Sequence, residues 1–527
     1  MLDHADLASA LGLPASAPTA QVVGEGWRRF GDSWFDRVDA DFAVTIVGDH
    51  RPVYFYRSRS GTVALYAAHA TDGGVVVATE LAALRADPGL DAGIDRRSLH
   101  EYLRLLDIAP PRTLFAGIFA VAPGELALWE DRKLEPVAAA AAVPAAPSMP
   151  ATLDAAVDEL DGLLHRAVLR ALAGAARPAA FLSGGIDSAL LCAIAARHRP
   201  DLVAVTVGFE GAPFDETPTA AGMARHLGLT HEVLRFPPSA EQGALHRLAA
   251  GLEQPMADPA GLTTLLSFEH CARQYDLTLD GTGADEALGL MPARHRRLAV
   301  GMAGVLPTRL RHLSRDALRA LPRLRGYAAI FDFEHPAEVL MRWGGFRRDE
   351  IAALCGEPVA LEHTRFYRTF ARYPRGAHFE RYSALLDAMP CERLREATRL
   401  SGATLRFPFL APEVDGWLRR LPRTLRHGPA EPKRVLRALL ARYLPPTLWD
   451  RPKHGFDFPL ADFLDANDFA VVRHHLDPER WAAWQLCRPE VVQGYLLRYR
   501  AGDTSLRFRI WALVLLGAWL ETHPGIG

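Results

Sequence analysis

The chain has 527 residues, 49% of them apolar and 23% charged, which supplies enough buried surface for more than one domain and excludes disordered and collagen-like classes. The formal charge is −2, from 60 Lys and Arg against 62 Asp and Glu, so no global field draws in a polyanion. Five cysteines, at 192, 271, 355, 391 and 487, form neither a disulfide framework nor a Cys-x-x-Cys metal pattern, which fits a reducing cytoplasm.

In chain order, the start MLDHADLASALG carries acidic residues and no basic stretch leading into an apolar core, so no signal or transit peptide is expected. Short runs rich in β-branched and aromatic residues follow: DFAVTIVGD, RPVYFYRS, TVALYAA, GGVVVATE and GELALWE. Gly, Asp and Pro separate them, which predicts antiparallel sheets over residues 1–136. The Ala/Pro stretch 137–150 offers no packing face and reads as a linker to a second domain, 151–527.

Beyond the linker, LDAAVDELDGLLHRAVLRALAG has helical apolar spacing, and PAAFL reads as a buried strand running into SGGIDS. DSALLCAIAARH is predicted helical, LVAVTVGF is a strand apolar on both faces, and TAAGMARHLGL is helical again. Alternation of this kind predicts right-handed βαβ units in an open parallel sheet, with helical additions from about Met291 onward. IWALVLLGAWL, from Ile510 to Leu520, is too short for a bilayer, where about 20 residues are needed, and is predicted to be a buried helix rather than a membrane anchor.

The sharpest feature is Ser183-Gly184-Gly185-Ile186-Asp187-Ser188 between strand and helix. Two glycines permit close backbone approach, and the helix start offers unpaired amides with a positive dipole end, a combination that cradles phosphate. The lysine of a γ-phosphoryl-transfer loop is absent, and an Asp inside a phosphate nest fits best as a Mg²⁺ ligand. The bland alternative is a Gly-Gly turn whose Asp and Ser cap a helix.

With SGGIDSALL the chain resembles the asparagine synthetase C-terminal domain, an ATP-pyrophosphatase fold. The resemblance extends through VGFEGAPFDE, GTGADEALG (281–289), LRFPFLAPEV (405–414), PKRVLRALL (432–440) and RPKHGFDFPL (451–460). It implies ATP and Mg²⁺ as cofactors, with Ser183, Gly184, Gly185, Asp187, Ser188, Val207 and Gly281 binding nucleotide and Asp187 and Asp285 holding the metal. It further implies Lys433 near the departing pyrophosphate and Lys453 stabilising charge in adenylation and amide formation. Residues 1–136 resemble a degenerate glutaminase domain, a β-rich sandwich: WFDRVDADFAVTIVGDHRPVYFYRSRSGTVALYAA matches its middle, but no cysteine precedes Cys192 to act as nucleophile.

Thr282 stands where relatives place an acidic residue or a tyrosine, and the glutamate partner of that tyrosine is absent from LRRLPRTLRHG. Threonine is too weak a base for proton abstraction near neutral pH but can hydrogen-bond. The lasso peptide cyclases resemble asparagine synthetase but lack a working glutaminase site, so that resemblance implies an ATP-dependent amide ligase acting on a precursor peptide, in company with a leader-cleaving protease. A small-molecule amide or lactam synthetase and an ammonia-dependent asparagine synthetase are the alternatives. His454 is another candidate base. Asp215 and Glu216 in FDET read equally as site contacts or as caps of the next helix. Nine arginines against one acid from Arg294 to Arg325 could bind peptide, acidic protein or RNA; absence of interleaved aromatics disfavours nucleic acid, and solvated helix faces are the plain reading.

Overall fold

The computed structural model describes residues 4–526 apart from 49–51, 72, 91–92, 131–132, 138–148, 210–211, 213–214, 293, 304, 322–330, 332, 342–343, 375, 389–391, 429–430 and 452–457. In the N-terminal part, β1 (Ala43–Val47), β2 (Val53–Arg57), β6 (Leu126–Glu130) and β7 (Lys133–Pro136) form one antiparallel sheet in the order β1-β2-β6-β7. A second antiparallel sheet has the order β4-β3-β5, from Val75–Ala78, Tyr66–His69 and Ile118–Ala120. Side chains of both sheets share one core, in which Phe55, Ala127 and Leu134 meet Ala67, Val77 and Phe119. This is the expected sandwich. Two of its strands, β5 and β7, are too short and irregular in pattern to be read from periodicity.

The outer faces are also covered. Tyr56 stacks on Phe35 with ring centroids 3.8 Å apart beneath α1 (Thr19–Phe30). On the other sheet, Tyr66, Ala68 and Ile118 join a cluster with Trp511 and Trp519 of the long C-terminal helix, and Tyr102 of α2 (Arg96–Leu105) donates to the Ala512 carbonyl at 2.7 Å. The two parts of the chain therefore share a core.

The second sheet system is parallel throughout its described strands: β8 (Pro178–Phe181), β9 (Val203–Val207), β10 (Thr230–Leu234), β11 (Leu277–Leu279) and β12 (Leu405–Arg406), in the order β10-β9-β8-β11-β12. Ala180, Ala204 and Leu279 pack against α3 (Leu153–Leu172), α4 (Ile186–His198) and α9 (Arg434–Leu440), while Ala179, Val205 and Leu234 pack against Cys271 of α6 (Gly261–Gln274). Helices on both faces explain the unbroken apolar runs of the strands. The C-terminal helix α10 (Arg507–Thr522) is buried from Ile510 to Leu520, as its composition predicts, and no helix among the described residues is long and apolar enough to cross a membrane.

From β8 the chain steps to β9 on one side, while β11 lies on the other, so the loops leaving β8 and β11 diverge and open a crevice at the carboxyl edge. Ligands of open α/β sheets bind at such a switch point.

A buried ionic chain ties this sheet system to the sandwich. Arg57 of β2 reaches Glu392 at 3.0 Å, Arg395 of α8 (Arg393–Ser401) reaches Glu392 at 2.6 Å and Glu253 at 2.7 Å, and Tyr66 donates to Glu253 at 2.7 Å. Burial alone would raise the Glu392 carboxyl, but the two guanidiniums hold it at about 2. Losing one partner of such a group leaves a buried charge uncompensated, so the chain specifies one docking arrangement.

Candidate functional site

Both motif loops open at that crevice. After β8, Leu182 continues the ladder by donating to the Val205 carbonyl at 2.8 Å, and the backbone then turns through Ser183–Gly185 into α4. The two serines brace the turn: the Ser183 amide donates to Ser188 Oγ at 3.0 Å, the hydroxyls lie 3.0 Å apart, and the Gly185 amide donates to Ser183 Oγ at 3.1 Å. Val207 ends the neighbouring strand β9 at the same edge.

After β11, Asp280 accepts from the Thr282 amide at 2.8 Å and from the Thr282 hydroxyl at 2.6 Å. The chain then turns at Gly283, with φ +105°, into the short helix α7 (Ala284–Leu288) that carries Asp285. A side chain at Gly283 would be strained by that φ and would also meet Leu410 at 2.6 Å. At Gly281 a Cβ would lie 3.2 Å from the Ser188 amide nitrogen and 3.4 Å from Asp187 Cβ. Glycine at 281 therefore lets the second loop close onto the first.

Lys433 joins the two loops. Its Nζ lies 2.5 Å from Asp187 Oδ2 and 2.6 Å from Asp285 Oδ1, and the residue is 6% exposed. Burial works to lower the ammonium pKa, but the two carboxylates more than reverse this and keep it protonated. Lys433 precedes α9 with φ +55°, a left-handed conformation that costs a non-glycine residue on the order of 1 kcal/mol and is tolerated where surrounding structure fixes it.

Asp187 Oδ1 is buried and has no hydrogen-bond partner among the described residues. An orphaned hard oxygen beside a second carboxylate suits Mg²⁺, which takes one or two protein carboxylates and completes its shell with phosphate and water oxygens. The residues present therefore fit the metal that the sequence implies.

The two acids of FDET divide their work. Asp215 Oδ1 accepts from the Thr217 amide at 3.1 Å and the Thr217 hydroxyl at 2.6 Å at the start of α5 (Thr217–Leu227). Glu216 instead crosses to the first loop, where its Oε2 accepts from the Gly184 amide at 3.0 Å. Sequence reasoning could not assign these roles because the residues are adjacent, and it passed over Asp280 altogether; a carboxylate at the carboxyl end of a parallel strand was the available signal.

Lys453 and His454 lie outside the described residues. In the basic segment, Arg311 is buried rather than solvated: it sits 4.8 Å over Phe333 and donates to the Glu334 carbonyl at 3.0 Å. Arg315 pairs with Asp316 at 2.8 Å.

Residues 159–521 match the family described as asparagine synthase, and residues 15–138 match the glutamine amidotransferase domain. The chain belongs to the asparagine synthase family. It is an ATP-dependent carbon–nitrogen ligase of that family. It is 28% identical over 524 residues to the protein of Mycobacterium tuberculosis named "Putative asparagine synthetase (glutamine-hydrolyzing)", covering 95% of this chain and 79% of that one. With asparagine synthetase (glutamine-hydrolyzing) 1 of Bacillus subtilis it shares 24% identity over 462 residues, 81% of this chain and 69% of the relative. Among solved structures, a glutamine-dependent NAD⁺ synthetase from Acinetobacter baumannii is 20% identical over 36% of this chain and 41% of that one, at a TM-score of 0.21.

Proposed function

We propose that this ligase closes a peptide macrolactam: it adenylates an Asp or Glu side chain of a precursor peptide and joins it to the peptide's own N-terminal amine, as a lasso peptide cyclase does. In the first step a carboxylate oxygen attacks the α-phosphorus of ATP, the bond from that phosphorus to the β-phosphate bridging oxygen breaks, and pyrophosphate leaves. In the second, the amine attacks the acyl carbon, AMP departs with its oxygen, and the amine sheds a proton. Asp187 and Asp285 would hold Mg²⁺, which supplies positive charge to the departing pyrophosphate when bound. Lys433, fixed between those carboxylates, supplies further positive charge at the same point, and preorganised charge of this kind is among the largest contributions to catalysis.

The observation that carries the reading is the tie between Thr282 and Asp280. The position that relatives give to an ionisable group here holds a hydroxyl that already donates to a carboxylate. Its lone pairs remain available to accept from an amine, which suits orienting a nucleophile better than deprotonating an ammonium. A peptide α-amine has a pKa near 7.7–8.0, so roughly a tenth is neutral at pH 7 and a weak acceptor suffices. Residues 1–191 contain no cysteine, so they offer no thiolate for drawing ammonia from glutamine.

Asparagine formation is the second reading, favoured by the names of the relatives; those names add glutamine hydrolysis, whereas here free ammonia would be the nitrogen source. Pyrophosphate exchange distinguishes the two. Exchange that depends on a linear peptide with an internal Asp or Glu supports cyclisation; exchange with free aspartate and none with peptides supports asparagine formation.

A further inference from the structure

The Gly184 amide sits in the Ser183–Ser188 loop, read from the sequence as the cradle for the nucleotide's phosphates and placed by the proposed function where pyrophosphate departs. A phosphate oxygen entering such a nest of amides takes its hydrogen bonds from groups like this one. In the structure that hydrogen is given to Glu216 Oε2, at 3.0 Å. The contact is close along its length, since a Cβ on Gly184 would lie 3.1 Å from Glu216 Cδ and 3.1 Å from Oε1.

Glu216 is not needed as a helix cap. It occupies the N-cap position of α5 but makes no side-chain cap bond, because Asp215 already serves the Thr217 amide. The carboxylate has therefore been turned from the helix that carries it toward a loop 32 positions earlier in the chain. An acid aimed at an anion-binding amide has the charge and the oxygen geometry of the ligand itself. Lys433 shows the converse arrangement, an ammonium lodged between the two carboxylates that suit a metal.

We propose that Glu216 is a stand-in anion, holding the Gly184 amide in its binding geometry, yielding it when the nucleotide's phosphates arrive, and competing for it again as pyrophosphate leaves. This rests on the pyrophosphate-loop reading above. The loop is kept preorganised, and the competing charge weakens the hold on the product. Glu216 is a positioning residue that acts through the loop.

The test is isothermal titration of the full chain with magnesium pyrophosphate and, separately, magnesium ATP, for wild type, Glu216→Gln and Glu216→Ala, with circular dichroism to verify folding. Glu216→Gln can still accept from Gly184 but has no charge, and it is expected to bind pyrophosphate about tenfold more tightly than wild type, a modest share of the repulsion between like charges a few ångströms apart. Glu216→Ala should change in the same direction, and if one variant fails to fold the other decides. A scaffold role alone predicts unchanged or weaker binding in both variants, and that result overturns the proposal while leaving the loop reading intact. If wild type binds neither ATP nor pyrophosphate, the loop reading fails and this inference falls with it.

Discussion

Lys433 and Asp187, 246 positions apart in sequence, meet at 2.5 Å, and the same ammonium reaches Asp285 at 2.6 Å. One cation thereby holds together two carboxylates borne by the loops after β8 and β11. Lys433→Met should lower the unfolding free energy by about 1–3 kcal/mol, because it leaves two half-buried carboxylates facing each other without their cation. Added Mg²⁺ should restore much of that loss, so the variant's Tm should rise with Mg²⁺ more steeply than that of wild type. Thermal melts across a magnesium series check this; a Tm indifferent to Mg²⁺ in the variant would show that the two carboxylates do not bind the metal.

Asp187→Asn removes the charge beside the orphaned Oδ1. AMP formation should fall by roughly 10² or more, the scale for losing a preorganised charge at a reacting phosphoryl group, while the fold is retained. Quantifying AMP, with circular dichroism as the folding control, decides it. Activity close to wild type would reduce Asp187 to a structural residue.

Gly281→Ala places a methyl 3.2 Å from the Ser188 amide nitrogen and so pushes the two loops apart. Stability should change by about 1 kcal/mol, since neither loop is core, yet ATP affinity should fall about tenfold because small misplacements matter where a ligand bridges two loops. Titration of the variant with ATP measures the effect, and undiminished affinity would mean that the loops adjust independently.

Much of this site was legible in the sequence because it is written in local signals. Gly184, Gly185 and Gly281 mark close backbone approach, and Asp187 and Asp285 are carboxylates placed beside it. The strands β8 and β9 were legible for a similar reason, since both faces are covered and their apolar runs are continuous. By contrast, β11 and β12 have three and two residues, and their pairing joins residues as distant as Leu277 and Pro178 or Thr278 and Leu405, which no local pattern encodes. The ionic chain from Arg57 to Glu392 spans 335 positions and joins charges that each look like ordinary surface residues in sequence. The choice between Asp215 and Glu216 needed the fold, because adjacent residues of similar chemistry differ only in the direction they face.

Glu101 gives a pH test of the junction between the two parts of the chain. It is fully buried, one oxygen accepts from the Ala109 amide at 3.2 Å and the other has no partner among the described residues, and burial pushes its carboxyl up to about 8. The folded value lies above the ordinary value of 4.5, so this group's contribution to stability is fully present below about pH 4.5 and is lost as pH rises through about 8. Glu101→Gln should flatten that decline, making the variant more stable than wild type at pH 9 relative to pH 6. Chemical denaturation at the two pH values measures the difference, and parallel losses in both proteins would show that Glu101 does not carry it.

The most direct test of macrolactam formation is the intact mass of a leader-free precursor peptide, with Asp or Glu several residues from its amino terminus, after incubation with the chain, ATP and Mg²⁺. The account predicts loss of one water, stoichiometric AMP and pyrophosphate, and a blocked amino terminus in the product. A peptide acetylated at its amino terminus should support pyrophosphate exchange yet lose no water. Cyclisation of the acetylated peptide, or release of ADP and phosphate as the stoichiometric products, would contradict it.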